Sequence, residues 1–271
     1  LSKKTGTIEG KGDGMKNHLL LLMSVLFLSA CSQQSDMTAS QSSQSSSEAI
    51  FTTTSETEST TVESTVETSE SEEPKMVYQS GSLIQAVEKN DLEQVKAIIE
   101  TDYNLNEQNN QGETPLLIAT HNNQVEIAKV LILAGADINL QDHIQDSAYL
   151  YAAAQGKTEI LALMIEFSRP NQDIYNRFGG NALIPAAEKG HLENVKLLLQ
   201  DGAVDINHQN NYGYTALIEA VALRDGSQIY QEIVAELLKY DADKTLRDNS
   251  GRTAEDYARE LGYQNMLEQL Q

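Results

Sequence analysis

An alanine recurs in one sequence context at positions 86, 119, 152, 186, 220 and 258, with gaps of 33, 33, 34, 34 and 38 residues. A near-fixed period of that length marks a chain built from stacked supersecondary units, none of which can bury its apolar face alone. The clearest unit reads Asn110-Gln-Gly-Glu-Thr-Pro-Leu-Leu-Ile-Ala119, then Glu126-Ile-Ala-Lys-Val-Leu-Ile-Leu133, then Ala134-Gly-Ala-Asp-Ile-Asn139. A counterpart two periods on ends Glu188-Lys-Gly-His-Leu-Glu-Asn-Val-Lys-Leu-Leu-Leu199, then Asp201-Gly-Ala203. Each unit is written as two short helices. Thr114 is a helix N-cap, and Pro115 takes the first helical position, where its missing N–H costs nothing. Leu116, Ile118 and Ala119 turn an apolar face inward, the small alanine allowing close helix approach. Gly156 and Gly190 are expected to end first helices in the left-handed conformation. Val195, Leu198 and Leu199, or Val234, Leu237 and Leu238, put an apolar stripe on the second helices, which Gly135 and Gly202 close.

The turn, the Thr-Pro-Leu start, the Gly190-His191 break, the apolar second helix and the Gly-Ala-Asp exit resemble the ankyrin repeat. The resemblance recurs six times across residues 80–271 and is strongest in the second, fourth and fifth units. It implies an all-α ankyrin-repeat solenoid of helix-turn-helix units with hairpin-like turns, about six units including two caps. The first unit starts at Leu83 without a turn motif, and the last carries polar Gln264, Glu268 and Gln269, as terminal units require for solubility.

The departures are as informative. The family's histidine after Thr-Pro-Leu is here Leu117, Leu150, Ile184 or Ile218, so its side-chain hydrogen bond is not supplied. Unit three has Gln145 in place of the turn glycine, Ser147-Ala148 in place of Thr-Pro, and Ser168-Arg169-Pro170 at its exit. It is expected to be the weakest unit. Pro185, one turn into a first helix, is expected to forfeit an early backbone bond. Unit five has about five extra residues around Arg224–Tyr230, expected to lengthen its inter-helix loop.

The formal charge is −21, from 19 basic and 40 acidic residues in 271. That balance excludes nucleic acid as a partner, because such binding draws on cationic side chains, and it disfavours anionic lipid headgroups. A single cysteine, Cys31, excludes an intramolecular disulfide and a cysteine-based metal cage.

Before the repeats, Leu19–Leu28 forms an apolar run behind Lys16 and ahead of Ser29-Ala30-Cys31. It is too short to span a bilayer, which takes about 20 residues, and has the length of a secretory h-region. Leu28-Ser29-Ala30-Cys31 resembles the lipobox of bacterial lipoproteins, which implies a signal peptide over residues 15–30 and a lipid on Cys31. The alternative is an ordinary cleaved signal beside a chance cysteine. Residues 1–14 read as a mis-assigned upstream extension: Lys11-Gly12-Asp13 can be encoded with a purine-rich ribosome-binding sequence just ahead of a Met15 start. Residues 31–79 are the lipidated cysteine and a Ser/Thr/Glu-rich linker, expected to be disordered. As a coil of some forty residues this stalk spans on the order of 35–40 Å.

No enzyme chemistry is expected. His191-Leu-Glu-Asn-Val is not the His-Glu-x-x-His zinc motif, and no Gly-x-Ser-x-Gly elbow or phosphate loop is present. No cofactor and no metal are implied. The resemblance instead implies a concave binding surface built from turn tips and exposed sides of first helices. Carried over by position, the candidate partner-binding residues are Gln111, His143, Ile144, Arg177, Phe178, Tyr212, Tyr214 and Arg252 at the tips. His121, Asn122, Lys189 and Arg224 join them from the helices. Phe178, Tyr212 and Tyr214 are either exposed anchors of an interface or packing between neighbouring tips. The expected function is a non-catalytic protein-interaction module, a monomer, on the extracytoplasmic face of the cell membrane. It binds an unknown protein at the envelope or outside the cell and touches the membrane only through its lipid. A narrower reading is an accessory or immunity factor for one exported enzyme or toxin, and a third is an envelope hydrolase using the repeats as scaffold.

Overall fold

The computed structural model describes residues 76–271. Cys31, the proposed leader and nearly all of the linker lie outside the described residues.

Among these residues the chain forms twelve helices and no strand. The helices pair into six units: α1 (Ser82–Glu88) with α2 (Leu92–Ile99), α3 (Pro115–His121) with α4 (Val125–Leu133), and α5 (Ala148–Ala154) with α6 (Thr158–Phe167). They continue as α7 (Leu183–Glu188) with α8 (Leu192–Asp201), α9 (Ala216–Ala222) with α10 (Gln228–Lys239), and α11 (Ala254–Leu261) with α12 (Gln264–Leu270). First helices stack on first helices and second on second, giving two layers around one continuous core. All six recurring alanines lie in the first-helix layer and are buried. One falls in the first helix of each unit, so the period in the sequence is the period of the stack.

The helix starts follow from local chemistry. Thr114, Ser147 and Thr215 each accept a bond from the backbone N–H three residues on, satisfying a donor that the first turn leaves orphaned. Thr253 does the same and completes a reciprocal box with Asp256. The stops are left-handed as expected at Gly156 and Gly190, while Asn90 and Asn123 take that conformation in units one and two. Gly156 is also a spatial necessity. A Cβ there would lie 2.7 Å from the His191 ring, which fills the space in the next unit.

Two expectations are corrected. Pro185 forfeits no bond: α7 begins at Leu183, so its nitrogen falls among the first four, which have no helical acceptor in any case. Asn181 supplies the cap, accepting from Leu183 and Ile184. The insertion in unit five goes only partly into a loop. Ser227 starts α10 early, and the added residues make it the longest helix, at 12 residues.

The first unit is closed from outside its own sequence. Glu107, at the tip of unit two, accepts from Gly81 N–H at 2.6 Å and from Ile84 N–H at 3.1 Å, and so caps α1. Tyr103 donates to the same carboxylate at 2.8 Å. In the last unit, α12 buries Met266 and Leu270 and turns Gln264 and Glu268 to solvent.

Candidate functional site

The turn tips are held by a repeated device. The side chains of Asn109, Asp142, Asn176, Asn210 and Asp248 each accept two backbone N–H bonds from their own turn. That rigid turn projects the next two or three side chains away from the array. The projected residues are Gln111, His143 and Ile144, Arg177 and Phe178, and Tyr212, all of them exposed. Phe178 is 47 % and Tyr212 54 % exposed, at consecutive tips, and Ile144 is 54 % exposed. The Arg177 guanidinium lies 4.8 Å from the Phe178 ring centre, and its nearest acid, Asp146, is 4.0 Å away.

Tyr214 is not an exposed tip. It is partly buried, its ring meeting Tyr257 edge-on at 6.2 Å with the two hydroxyls 3.2 Å apart. The two alternatives for the aromatics therefore divide by residue: Phe178 and Tyr212 are half-exposed, and Tyr214 packs between units five and six. Arg252 stacks 4.2 Å from the Tyr257 ring centre and bonds Glu260 at 3.1 Å, so its charge is already engaged.

The helix candidates form a second, more polar group. His121 lies 3.1 Å from Glu113 through Nδ1 and tilts against Tyr151 at 4.1 Å. Asn122 is exposed at the end of α3. Arg224 donates to Glu188 at 2.9 Å, bridging units four and five. Burial lowers the pKa of Lys189, with the charges of Glu188 and Asp146 opposing. Asp146 is raised, by burial and then by Asp142.

Sequence reasoning missed the most unusual member of this group. Glu219 stands one residue before Ala220, where other units have Gln85, Ile118, Tyr151, Pro185 and Tyr257. It is 5 % exposed, and its one side-chain partner is Asn210 at 3.2 Å. Burial, and then the charge of Glu188, push its carboxyl up to about 7, with Arg224 pulling the other way. An acid in a column with no other charged residue was the available signal.

Among the described residues, no group of three or more His, Cys, Asp or Glu could hold a metal ion. The four histidines among the described residues are apart: His208 stacks on Tyr175 at 4.3 Å, and burial lowers His191, with the Lys189 charge adding to it. The arrangement supplies surface, hydrogen bonds and a few half-exposed apolar groups, which is the chemistry of recognition.

Comparison with known proteins agrees with this geometry. Residues 149–248 match a family model described as ankyrin repeats (3 copies), and residues 83–132 match one described as ankyrin repeats (many copies). The chain is 41 % identical over 103 residues to the putative ankyrin repeat protein YahD of Escherichia coli (strain K12). That stretch is 38 % of this chain and 51 % of YahD, so the match spans about half the relative's length. A crystal structure of EF0377, an ankyrin repeat protein, superposes with a TM-score of 0.71 at 56 % identity, covering 72 % of this chain and 98 % of that one. An ankyrin repeat domain from Acinetobacter baumannii AYE gives 0.68 at 42 % identity, covering 71 % and 97 %.

Proposed function

The chain belongs to the ankyrin repeat family, and on that premise we propose that it is a non-catalytic protein-binding module held at the outer face of the cell membrane by a lipid on Cys31. Ankyrin repeat proteins mediate protein–protein interaction. The observation that carries the reading is the pair Phe178 and Tyr212, two half-exposed aromatic rings at consecutive rigid tips. Large aromatics held rigidly in solvent lose little entropy on binding and offer apolar area, the properties of interface anchors. The anchor half of the proposal is supported by Leu28-Ser29-Ala30-Cys31 and by the polar Ser/Thr/Glu-rich stretch that follows it.

The test is cross-linking capture on intact cells with the full chain and with a Phe178→Ala, Tyr212→Ala variant. Loss of capture in the variant, with its helical signal intact, supports binding at the tips, and undiminished capture overturns it. One stoichiometric envelope partner identifies an accessory or immunity factor, whereas several weak partners identify a general adaptor. Turnover of a cell-wall substrate by the full chain overturns the non-catalytic reading. Cys31→Ser should abolish incorporation of labelled fatty acid and release the protein into the medium; unchanged membrane retention removes the anchor.

A further inference from the structure

Hydrogen-bond donors without acceptors gather on the first-helix side of units three to five. Tyr151 of α5 is half-buried, and its hydroxyl makes no hydrogen bond among the described residues. Lys189, just past α7, has neither a hydrogen bond nor an ion pair among them. Arg224, past α9, donates one amino group to Glu188 at 2.9 Å, while its Nε is buried with no partner. Arg177, on the unit-four tip, reaches its nearest acid, Asp146, only at 4.0 Å.

These groups are neighbours. The charges of Arg177 and Arg224 both act on Lys189, and the charge of Asp146 acts on Lys189 and on Tyr151. The Arg177 guanidinium lies 4.8 Å from the Phe178 ring centre, so the donors continue into the half-exposed aromatic tip. The second helices differ: Lys96, Lys196 and Lys239 are each tied to an acid three residues earlier, at 2.8, 2.7 and 2.9 Å.

The charge balance here is also unlike that of the chain. Three cations stand against two half-buried acids, Asp146 and Glu188, where the chain has 19 basic and 40 acidic residues. Glu219, a third and buried acid, has its carboxyl pushed up to about 7 and is half protonated at neutral pH. Donors of this kind gain most from an ionised acceptor, whose hydrogen bonds are stronger than those to neutral groups.

We infer that this face receives a carboxylate of the protein partner: an acidic side chain accepts from Lys189, with Arg177, Arg224 and Tyr151 around it, and an adjacent apolar side chain meets Phe178. The inference rests on the reading of the chain as a protein-binding module and adds the chemistry of the segment bound. The acidic remainder of the array disfavours such a segment elsewhere, so the site selects as well as attaches.

The test uses the full chain with Cys31→Ser and three labelled peptides of equal length, alternating Leu with Glu, Gln or Lys, read by fluorescence anisotropy. The Glu peptide should bind about tenfold more tightly than the Gln peptide. Lys189→Ala should remove that advantage with the helical signal intact, and Lys96→Ala, an equal charge change on a second helix, should leave it in place. Tighter binding of the Lys peptide, no binding of the Glu peptide, or an advantage that survives Lys189→Ala overturns the inference. Glu-peptide binding that tightens on removal of residues 52–73 would assign the site to the chain's own acidic stretch and overturns it too. Capture on intact cells reads the underlying proposal separately. Capture that persists while the Glu peptide fails discards only the carboxylate site, whereas no capture by the parent chain removes the module reading itself.

Discussion

Asn194 and Ala153 lie 41 positions apart in the chain, and the side-chain amide of one donates to the carbonyl of the other at 3.1 Å. The Ala153 carbonyl is in the last turn of α5, beyond the reach of helical N–H groups, so this bond closes a C-terminal orphan from the next unit. Asn194→Ala should cost about 2–3 kcal/mol, the cost of leaving a buried acceptor unsatisfied. Asn194→Asp should cost more, because it turns the donor into a buried acceptor bearing charge. Urea unfolding followed by circular dichroism orders the two. Equal and small losses would mean that the bonds contribute little.

Gln145 has a Cβ and φ of 64°, which disfavours it relative to glycine. Gln145→Gly should stabilise the array by about 1 kcal/mol, the left-handed penalty less glycine's added chain entropy. The converse, Gly213→Ala, should destabilise it by about 2 kcal/mol, since the new Cβ meets the Asn249 nitrogen at 2.7 Å. Thermal melts of both variants check the pair of signs.

The fold was legible in the sequence because repetition averages out local exceptions. One Thr-Pro-Leu is a weak signal, but an alanine recurring in register six times is not. The expectation for Pro185 failed for want of one residue of boundary precision: a proline one position into the body of a helix is costly, and one in its first turn is free. Unit three's irregularity was visible as Gln145, but the missing bond between Arg177 N–H of the next tip and the Ile144 carbonyl was not. The tip candidates divided for the same reason. Tyr212 and Tyr214 look alike in sequence, and only the approach of Tyr257 from unit six buries one of them.

That division makes a prediction. Tyr214→Ala should cost about 2–3 kcal/mol through lost aromatic packing against Tyr257 and the loss of its hydroxyl partner. Phe178→Ala and Tyr212→Ala should each change stability by less than about 0.5 kcal/mol, as exposed substitutions do. Chemical denaturation of the three single variants suffices. A Tyr212→Ala loss as large as that of Tyr214→Ala would show that Tyr212 packs too, and would remove it as an anchor.

Glu219 makes stability depend on pH with a sign opposite to that of a paired carboxylate. Its folded pKa is raised from 4.5 to about 7 by burial and the neighbouring Glu188. Below 4.5 the group is protonated in both folded and unfolded chains and contributes nothing. Between 4.5 and 7 the unfolded chain ionises first, so stability falls as pH rises, and above 7 the whole cost is present. A shift of that size corresponds to up to about 3 kcal/mol. Glu219→Gln removes the titration while keeping an oxygen for Asn210, its partner at 3.2 Å. The variant should therefore be more stable than the parent at pH 8 and nearly equal to it at pH 4. Urea midpoints at the two pH values decide the matter: an advantage of the same size at both would come from packing, and the buried charge would not be its source.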